Sequence, residues 1–206
     1  MSIRFLERVP ESLFAGAVLT AFAVCAAPVA ATTTEAGKTA AGFKAVFTLT
    51  SPDIAHGKAI PENQVFNSSG CSGRNISPAL AWGNVPAGTK SFALLVHDPD
   101  APTPSGWWHW IVYNIPGNVT SLAADAGNPA KHLMPGLAVQ GRSDFGTSGY
   151  GGPCPPPGRP HHYYFRLYAL KVPKLDVPPD ATTARIDSSV NANSLGEAQI
   201  MGLYGR

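Results

Sequence analysis

The 206-residue sequence is poor in charge and contains no run of basic residues. Charged residues make up only 14% of the chain, and the formal net charge is +2. Proteins that bind nucleic acid usually carry a strongly basic patch or stripe, so no nucleic-acid partner is expected. The longest uncharged apolar run, Leu13–Ala27, is shorter than the ~20 residues that a membrane-spanning helix needs. These two deficits argue against a nucleic-acid-binding protein and against a transmembrane protein.

The first thirty or so residues have the pattern of a secretory signal peptide. Arg4 and Arg8 form a positive start, the apolar run Leu13–Ala27 follows, and Val29-Ala30-Ala31 supplies small residues for cleavage after Ala31. A lipidated Cys25 is not expected, because Phe22 and Val24 do not match the usual flanking residues. The pattern therefore predicts a periplasmic or secreted protein, with an uncleaved membrane anchor as the alternative.

The remaining chain has the length of a single domain. We expect residues 1–31 to be removed, residues 32–42 to form a flexible Thr/Ala-rich spacer, and residues 43–206 to fold. The chain contains 21 Gly and 20 Pro residues, a share that is typical of many turns. Short strands joined by long loops are the expected result.

Cysteine is scarce, with three residues in the whole sequence. Removal of the leader takes Cys25 away and leaves Cys71 and Cys154. Disulfides form in oxidising compartments, and both residues lie in Gly-rich segments where the chain can approach itself closely. The sequence favours a disulfide between them, and two separate buried thiols are the alternative.

Several segments show the period-two alternation or the short apolar runs of β-strands. The predicted strands are Phe43–Thr50, Val65–Phe66, Leu80–Trp82, Ser91–His97, Trp110–Ile115 and Tyr163–Leu170. After Pro178 and Pro179 the pattern favours a helix from about Ala184, capped by Asp180 or Thr182, and then a second helix over Ser194–Tyr204. The sequence therefore predicts a β core with two short C-terminal helices.

Polar side chains lie at the ends of three predicted strands. If these strands are neighbours, four polar side chains converge on one site. They are Asp98, His109, His161 and Tyr163. Trp107 or Trp108 and the Pro-rich loop, residues 150–160, would form the apolar walls of that site.

The chemistry of this set suits a small anion. Both imidazoles can become hydrogen-bond donors, and a nearby carboxylate such as Asp98 fixes the tautomer of one of them. Each Pro of the loop fixes its own φ and removes one backbone donor, so the remaining N–H groups point in few directions. Those N–H groups belong to Gly151, Gly152, Cys154, Gly158 and Arg159, and we expect them to help to bind a phosphate or a sulfate.

These residues belong to a larger set of motifs that together are specific. The motifs are Asn75-Ile76-Ser77-Pro78-Ala79-Leu80, Lys90-Ser91-Phe92-Ala93-Leu94, Asp98-Pro99-Asp100-Ala101-Pro102, Trp107-Trp108-His109-Trp110, Asp144-Phe145-Gly146, Gly152-Pro153-Cys154-Pro155-Pro156, His161 and Tyr204-Gly205-Arg206. From about Phe43 to Arg206 the sequence resembles the phosphatidylethanolamine-binding protein family, in its bacterial Raf-kinase-inhibitor-like branch.

The resemblance implies a mainly β fold of two antiparallel sheets with short C-terminal helices and a small pocket for phosphate-like groups. The ligand-binding positions that it implies are Asp98, His109, Pro156, His161 and Tyr163. The supporting positions are Trp107, Trp108, Asp144, Gly152 and Cys154. By the same resemblance His161 is the pocket imidazole, and His162 is expected to be solvated.

We therefore expect a non-enzymatic binding protein without a cofactor. Its expected ligand is a phosphate-containing small molecule or a phospholipid headgroup. One alternative is an inhibitor of a protease or a kinase, because members of the resembled family regulate such enzymes. Another is a metal-dependent enzyme that uses Asp98, His109 and His161 as a two-His, one-carboxylate set, which the resemblance disfavours. The protein target and the oligomeric state stay open, and a homodimer is among the alternatives.

Overall fold

The computed structural model describes residues 45–178 and 180–206, and β-strands dominate this part of the chain. The strands are β1 (Thr48–Thr50), β2 (Lys58–Ala59), β3 (Leu80–Gly83), β4 (Ser91–Asp98), β5 (Trp107–Pro116), β6 (Ser121–Leu122), β7 (Val139–Gln140), β8 (His161–Leu170) and β9 (Ser194–Tyr204). The helix α1 spans Thr183–Asn193, and a single 3₁₀ turn spans Pro129–Lys131. The predicted leader and spacer lie outside the described residues.

The strands form two sheets. The smaller sheet has the order β1-β3-β6, and the larger has the order β2-β9-β8-β4-β5-β7. Every pairing is antiparallel except that of β2 with β9, which is parallel. The prediction of a mainly β fold with two sheets is confirmed, and this short parallel pair is the one departure from an antiparallel arrangement among the described strands.

The core has two layers of apolar contacts. Between the sheets, Trp82 of β3 packs edge-on against Phe92 of β4, with ring centroids 5.4 Å apart. On the opposite face of the large sheet, Ile186 and Val190 of α1 pack against a second cluster that includes Leu95. The long strands β4, β5 and β8 are therefore buried on both faces over much of their length, which explains their nearly continuous apolar character.

Strand β5 contains a β-bulge at His109. Val96 of β4 pairs with Trp110, whereas the next residue, His97, pairs with Trp108, so His109 is an extra residue in β5. A bulge of this kind re-aims the side chains beside it. As a result the consecutive residues His109 and Trp110 are both buried on the inner side, where Trp110 joins the core between the sheets.

The predicted second C-terminal helix is wrong. Residues 194–204 form β9, which pairs with β8 from His161↔Tyr204 to Leu170↔Ser194. Gly202 of this strand lies where another segment approaches closely, since a Cβ there would be 2.4 Å from Ile60 Cγ1. Glycine inside a strand often marks such a close approach. The first predicted helix is confirmed, with Thr182 as its N-cap.

Two other predicted elements need correction. Val65 and Phe66 form no strand; they lie in a turn-rich loop, although Val65 is fully buried. The first strand is shorter than predicted and begins at Thr48, while Phe43 and Lys44 lie outside the described residues. Both segments contain apolar residues that pack into the core from irregular backbone, a case that alternation alone does not distinguish from a strand.

Candidate functional site

A cavity of about 300 Å³ opens at one end of the large sheet, where β4 ends and β5 and β8 begin. Its buried polar side chains are those of Asp98, His109, His161 and Tyr163, and the exposed residues Ser69 and Thr103 add two further polar groups to the lining. The cavity is completed mainly by apolar residues, most of which are partly exposed. These include Phe66, Pro102, Trp107, Phe145, Pro155 and Pro156. The cavity thus has a polar floor and an apolar rim.

All five residues that the sequence places in the binding site line this one cavity, including Pro156 at the rim. That they bind a ligand stays a prediction. They come together because β4 lies between β5 and β8 in the sheet, as the proposed convergence requires.

Asp98 holds the imidazole of His161. The Nδ1 atom of His161 lies 2.7 Å from Oδ2 of Asp98, and both side chains are almost fully buried. The other carboxylate oxygen, Oδ1, accepts a hydrogen bond of 2.8 Å from the backbone N–H of Asp100. An ionised carboxylate only accepts hydrogen bonds, so the shared proton lies on Nδ1 and the second nitrogen, Nε2, is the one available to a ligand.

His109 is held by the backbone instead of by an acid. Its Nδ1 donates to the carbonyl oxygen of Gly151 at 2.7 Å, and the Gly151 N–H donates back to the carbonyl of His109. Phe145 and Tyr163 contact the ring edge-on, with centroids 5.4 and 5.1 Å away. Burial disfavours the charged imidazolium and lowers the pKa of His109 to about 4. The ring is therefore neutral near pH 7.

Tyr163 supplies a hydroxyl group without a partner. Its Oη atom is buried and makes no hydrogen bond of ordinary length and angle within the described part of the chain, although the carboxylate of Asp98 is close enough to act on it. Burial raises the pKa of this phenol most, and the charge of Asp98 and a weak contact of the hydroxyl with that carboxylate raise it further, so the phenol keeps its proton at physiological pH. An unsatisfied buried hydroxyl is costly, and this one lies in the lining of a cavity.

The Pro-rich loop contributes fewer donors than the sequence suggests. The N–H groups of Gly151, Gly152 and Gly158 already donate to other protein atoms, namely to the oxygens of His109, Asn75 and Arg206. Their expected role as ligand donors is therefore wrong. Gly152 instead permits a close approach, since a Cβ there would be 2.1 Å from the carbonyl oxygen of Gln64.

Two clasps join the Pro-rich loop to the segment 68–71, and both flank the cavity. One is the predicted disulfide between Cys71 and Cys154, which is present with a Cα–Cα distance of 5.9 Å. The other is Arg206, which donates from Nε to the carbonyl of Pro155 at 2.6 Å and from Nη1 to that of Gly70 at 2.9 Å. One clasp depends on the redox state, and the other does not.

The tryptophans and Asp144 have separate positions. Trp107 lines the cavity, whereas Trp108 lies on the other face of the sheet and stacks on His97 with centroids 4.2 Å apart. Asp144 accepts a hydrogen bond of 2.8 Å from the backbone N–H of Trp108, and its own N–H donates to the Trp108 carbonyl. Asp144 therefore anchors the segment that carries Phe145 to the start of β5.

The expectation from the resemblance that His162 is solvated needs correction. Its side chain is 43% exposed, and its Nδ1 lies 2.6 Å from Oδ2 of Asp100, which also accepts the backbone N–H of His162. These hydrogen bonds lower the pKa of Asp100. Asp100 thus ties the turn after β4 to the start of β8, beside the parallel pair of Asp98 and His161.

The same contacts bear on the metal-site alternative. Asp98 Oδ2 and His161 Nδ1 are hydrogen-bonded to each other, and Nδ1 of His109 is hydrogen-bonded to the Gly151 carbonyl. Within residues 45–178 and 180–206, no three His, Cys, Asp or Glu side chains are grouped so that they could hold a metal ion. The three residues therefore share a cavity without forming a ligand cluster.

A family model described as phosphatidylethanolamine-binding protein matches residues 50–205. The chain belongs to the phosphatidylethanolamine-binding protein family. The matched residues include both clasped segments and every strand that carries a cavity side chain.

Similar bacterial proteins cover nearly the same part of the chain. The UPF0098 protein YbcL of Escherichia coli K12 is 50% identical over 161 residues, which are 78% of this chain and 88% of that protein. The UPF0098 protein YbhB of the same strain is 44% identical over 156 residues, or 76% of this chain and 98% of that protein. These relatives support membership in the bacterial branch of the family.

Solved structures agree with the fold. The crystal structure of E. coli YbcL, described as a new member of the mammalian PEBP family, superposes with a TM-score of 0.76 at 49% identity and covers 79% of this chain and 99% of that one. A PEBP homologue from Chlamydia trachomatis gives 0.65 at 35% identity and covers 78% and 97%. The two-sheet architecture is therefore shared by these family members.

Sequence reasoning missed several residues that shape the cavity. The side chain of Asn75 accepts a hydrogen bond from the Gly152 N–H and donates one to the Tyr150 carbonyl, a link between distant segments that no local pattern predicts. Phe66 and Phe145 form a wall with ring centroids 4.7 Å apart. These residues lie in loops without periodicity. Asn75 and Phe145 lie inside the quoted motifs Asn75–Leu80 and Asp144–Gly146, whereas Phe66 lies outside both, in the segment for which the apolar pair predicts a strand.

Proposed function

We propose that this protein is a periplasmic or secreted binding protein that holds small phosphate-bearing molecules non-covalently and catalyses no reaction. The observation that carries the proposal is the buried, unpartnered hydroxyl of Tyr163 beside the imidazoles of His109 and His161. A phosphoryl oxygen that accepts a hydrogen bond from Tyr163 removes the cost of leaving that donor unpaired.

The polar side chains of the cavity offer an anion a further donor when His161 carries a second proton. Asp98 then faces an imidazolium, so the pair is close to neutral, and Nε2 of His161 donates into the cavity. No Arg or Lys is among the described residues that line the cavity, so the ligand is held by hydrogen bonds more than by net positive charge. We therefore expect reversible binding of moderate strength.

The apolar rim gives the ligand room beyond its phosphoryl group. A cavity of about 300 Å³ is at the small end of the range for small-molecule sites. Trp107, Phe66 and Phe145 offer flat apolar surfaces to whatever the phosphate is attached to. A small phosphorylated alcohol or amine, such as phosphoethanolamine, fits this division into a polar floor and an apolar rim.

The absence of catalysis is proposed from the partners of the two imidazoles. An activated nucleophile needs a hydroxyl or thiol hydrogen-bonded to a base. In the described residues His161 bonds to Asp98 and His109 to a backbone carbonyl, and neither imidazole bonds to a Ser, Thr or Cys side chain. Cys154, the cysteine in the cavity lining, has no free thiol to act as a nucleophile because its sulfur is in the disulfide.

The location is proposed from the leader-like first residues and from the disulfide. Disulfides persist in oxidising compartments such as the periplasm. No helix in the described part of the chain is long and apolar enough to cross a membrane. Mass analysis of osmotic-shock fluid from cells that express the full chain should find a protein that starts at Thr32 and has one disulfide. A chain that retains residues 1–31 with two alkylatable cysteines would contradict the proposal.

The binding proposal is tested by calorimetric titration of the protein with phosphoethanolamine. We expect binding that Asp98→Asn weakens by roughly 10- to 100-fold, because the variant loses a charge-assisted hydrogen bond that orients His161. The matched control is Asp180→Asn, at an exposed position that does not line the cavity, and it should leave binding unchanged. Absence of binding, or equal weakening by both variants, would refute the assignment.

A further inference from the structure

The two nitrogens of His109 face different surroundings. Nδ1 is 2.7 Å from the carbonyl oxygen of Gly151, and a carbonyl oxygen can only accept a hydrogen bond. The proton of the neutral ring therefore lies on Nδ1. Nε2 is left with a bare lone pair, which makes it an acceptor and not a donor.

Nε2 of His109 is open to the cavity. The structure records no hydrogen bond from this atom to the described residues. Three side-chain atoms of the described residues are inaccessible to solvent and have no hydrogen-bond partner, namely Gln64 Oε1, Trp82 Nε1 and Tyr163 Oη. Nε2 of His109 is not one of them. Since the imidazole lines the cavity, this lone pair can accept a hydrogen bond from a donor group of a ligand.

Burial keeps the ring of His109 neutral over the working pH range. Asp98 on β4 and Tyr163 and His161 on β8 face it across the cavity, and His97 is the other titratable group that acts on it. Burial opposes the imidazolium most strongly, the hydrogen bond to Gly151 and the charge of Asp98 favour it, and together these effects lower the pKa of His109 to about 4. The acceptor on Nε2 is therefore present from about pH 5 upward.

We propose that the cavity selects phosphomonoesters whose phosphoryl group carries a proton, and that Nε2 of His109 accepts that proton's hydrogen bond. This inference rests on the proposed function, that the cavity binds phosphate groups. An unprotonated oxygen at this position sets one lone pair against another, whereas a P–OH group donates to Nε2. The remaining phosphoryl oxygens accept from Tyr163 Oη and from Nε2 of His161 in its imidazolium form.

The cavity should therefore prefer a phosphomonoester to a phosphodiester or a sulfate ester with the same ammonium group. A phosphomonoester loses its second proton with a pKa of about 6, so a fraction of it carries the required proton near neutral pH. Sulfate esters and phosphodiesters have no such proton in this range. The ethanolamine headgroup of an intact phospholipid is a diester, so the cavity favours free phosphoethanolamine over the lipid-attached form.

The test compares three ligands with the same ammonium group in calorimetric titrations of the protein. They are phosphoethanolamine, its sulfate ester analogue 2-aminoethyl sulfate, and glycerophosphoethanolamine, a diester. The ammonium group is common to all three ligands, so the pH dependence of the ratio of the phosphate to the sulfate affinity reports the change in the phosphoryl group itself. The variant described next separates the ligand's proton at Nε2 of His109 from the change in ligand charge. Between about pH 5 and about pH 7.5 the monoanion fraction falls roughly 30-fold, and the ratio should fall by up to about the same factor.

A variant tests whether His109 is responsible. His109→Asn places an amide N–H where Nδ1 donates to Gly151, but it removes Nε2 and its lone pair. The pH dependence of the ratio should disappear in this variant. His132→Asn is the matched control, because His132 is exposed and Asn tolerates its positive φ of 51°. The ¹⁵N shift of His109 Nε2 in the unliganded wild-type protein should be that of an unprotonated nitrogen at about pH 7.

The outcomes separate the inference from the proposed function. A ratio that falls with rising pH in the wild type and in His132→Asn, and stays flat in His109→Asn, supports the inference. A phosphate-binding protein whose ratio is flat or rises with pH, or which binds the diester as tightly as the monoester, overturns the inference and leaves the proposed function intact. Failure of all three ligands to bind overturns both. A protonated Nε2 at about pH 7 also overturns the inference.

Discussion

The buried imidazole of His109 should make the fold sensitive to mild acid. In the unfolded chain this group titrates at its ordinary value of 6.5, and in the folded protein burial lowers its pKa to about 4. Between these two values the unfolded state binds a proton that the folded state does not. The free energy of unfolding therefore falls as the pH decreases through this window.

The magnitude follows from the shift. A pKa difference of about 2.5 units, at 1.36 kcal/mol per unit, corresponds to about 3 kcal/mol between pH 7 and pH 4. This loss is a large part of the 5 to 15 kcal/mol that stabilises a typical domain. The lowered pKa of Asp100 adds a separate acid loss at lower pH, since its stabilisation disappears as the pH falls through its folded-state pKa.

The assay is urea unfolding of the disulfide-bonded protein at several pH values, with His109→Asn as the test variant and His132→Asn as the control. His109→Asn lowers stability at neutral pH through lost packing, but it does not bear the protonation cost. The difference between the wild type and His109→Asn should therefore shrink by about 3 kcal/mol from pH 7 to pH 4. The reasoning fails if that difference stays constant, or if NMR finds His109 titrating near its ordinary value.

Three further predictions concern the clasps and the unpartnered hydroxyl. Replacement of both Cys71 and Cys154 by Ser removes a cross-link between residues separated by 83 positions in the sequence, and it should lower the free energy of unfolding by about 4 to 5 kcal/mol in urea titrations. A loss below about 1 kcal/mol would contradict this expectation. Arg206→Ala removes two hydrogen bonds that hold the Pro-rich loop, and it should weaken phosphoethanolamine binding roughly 10-fold in calorimetry. The control is Arg185→Ala, at an exposed helix position, and equal weakening by both variants would argue against a specific clasp. Tyr163→Phe removes a buried donor that has no partner, so it should raise the free energy of unfolding by about 1 kcal/mol while it weakens phosphoethanolamine binding; a fall in both quantities would show that Oη has a partner in the unliganded protein.

The parts of the fold that local patterns encode were predictable. The alternation along β8 placed Tyr163 and Phe165 on the buried face, and both are buried. The short apolar runs predicted β3 and β4, and the polar residues that follow or precede such runs identified three of the four floor residues of the cavity. Local sequence was enough here because the strand period of two and the side-chain chemistry are both local properties.

Apart from the disulfide, the parts that depend on distant contacts were not predictable. Strand β9 resembles a helix in composition, and its glycines make sense only beside Ile60, which is far away in sequence. The bulge that turns His109 inward depends on the register with β4, and the donor role of Arg206 depends on where its strand ends in space. The disulfide was predictable because the compartment and the local glycines both pointed to it.

The most direct test of the proposed phosphate site is an NMR titration of the protein, labelled with ¹⁵N in its histidines, with phosphoethanolamine. The predicted result is a saturable change in the Nε2 signals of His109 and His161, while the exposed rings of His56 and His132 stay unchanged. Unchanged signals of His109 and His161 at millimolar ligand, or equal shifts in all four rings, would contradict the binding function assigned to this cavity.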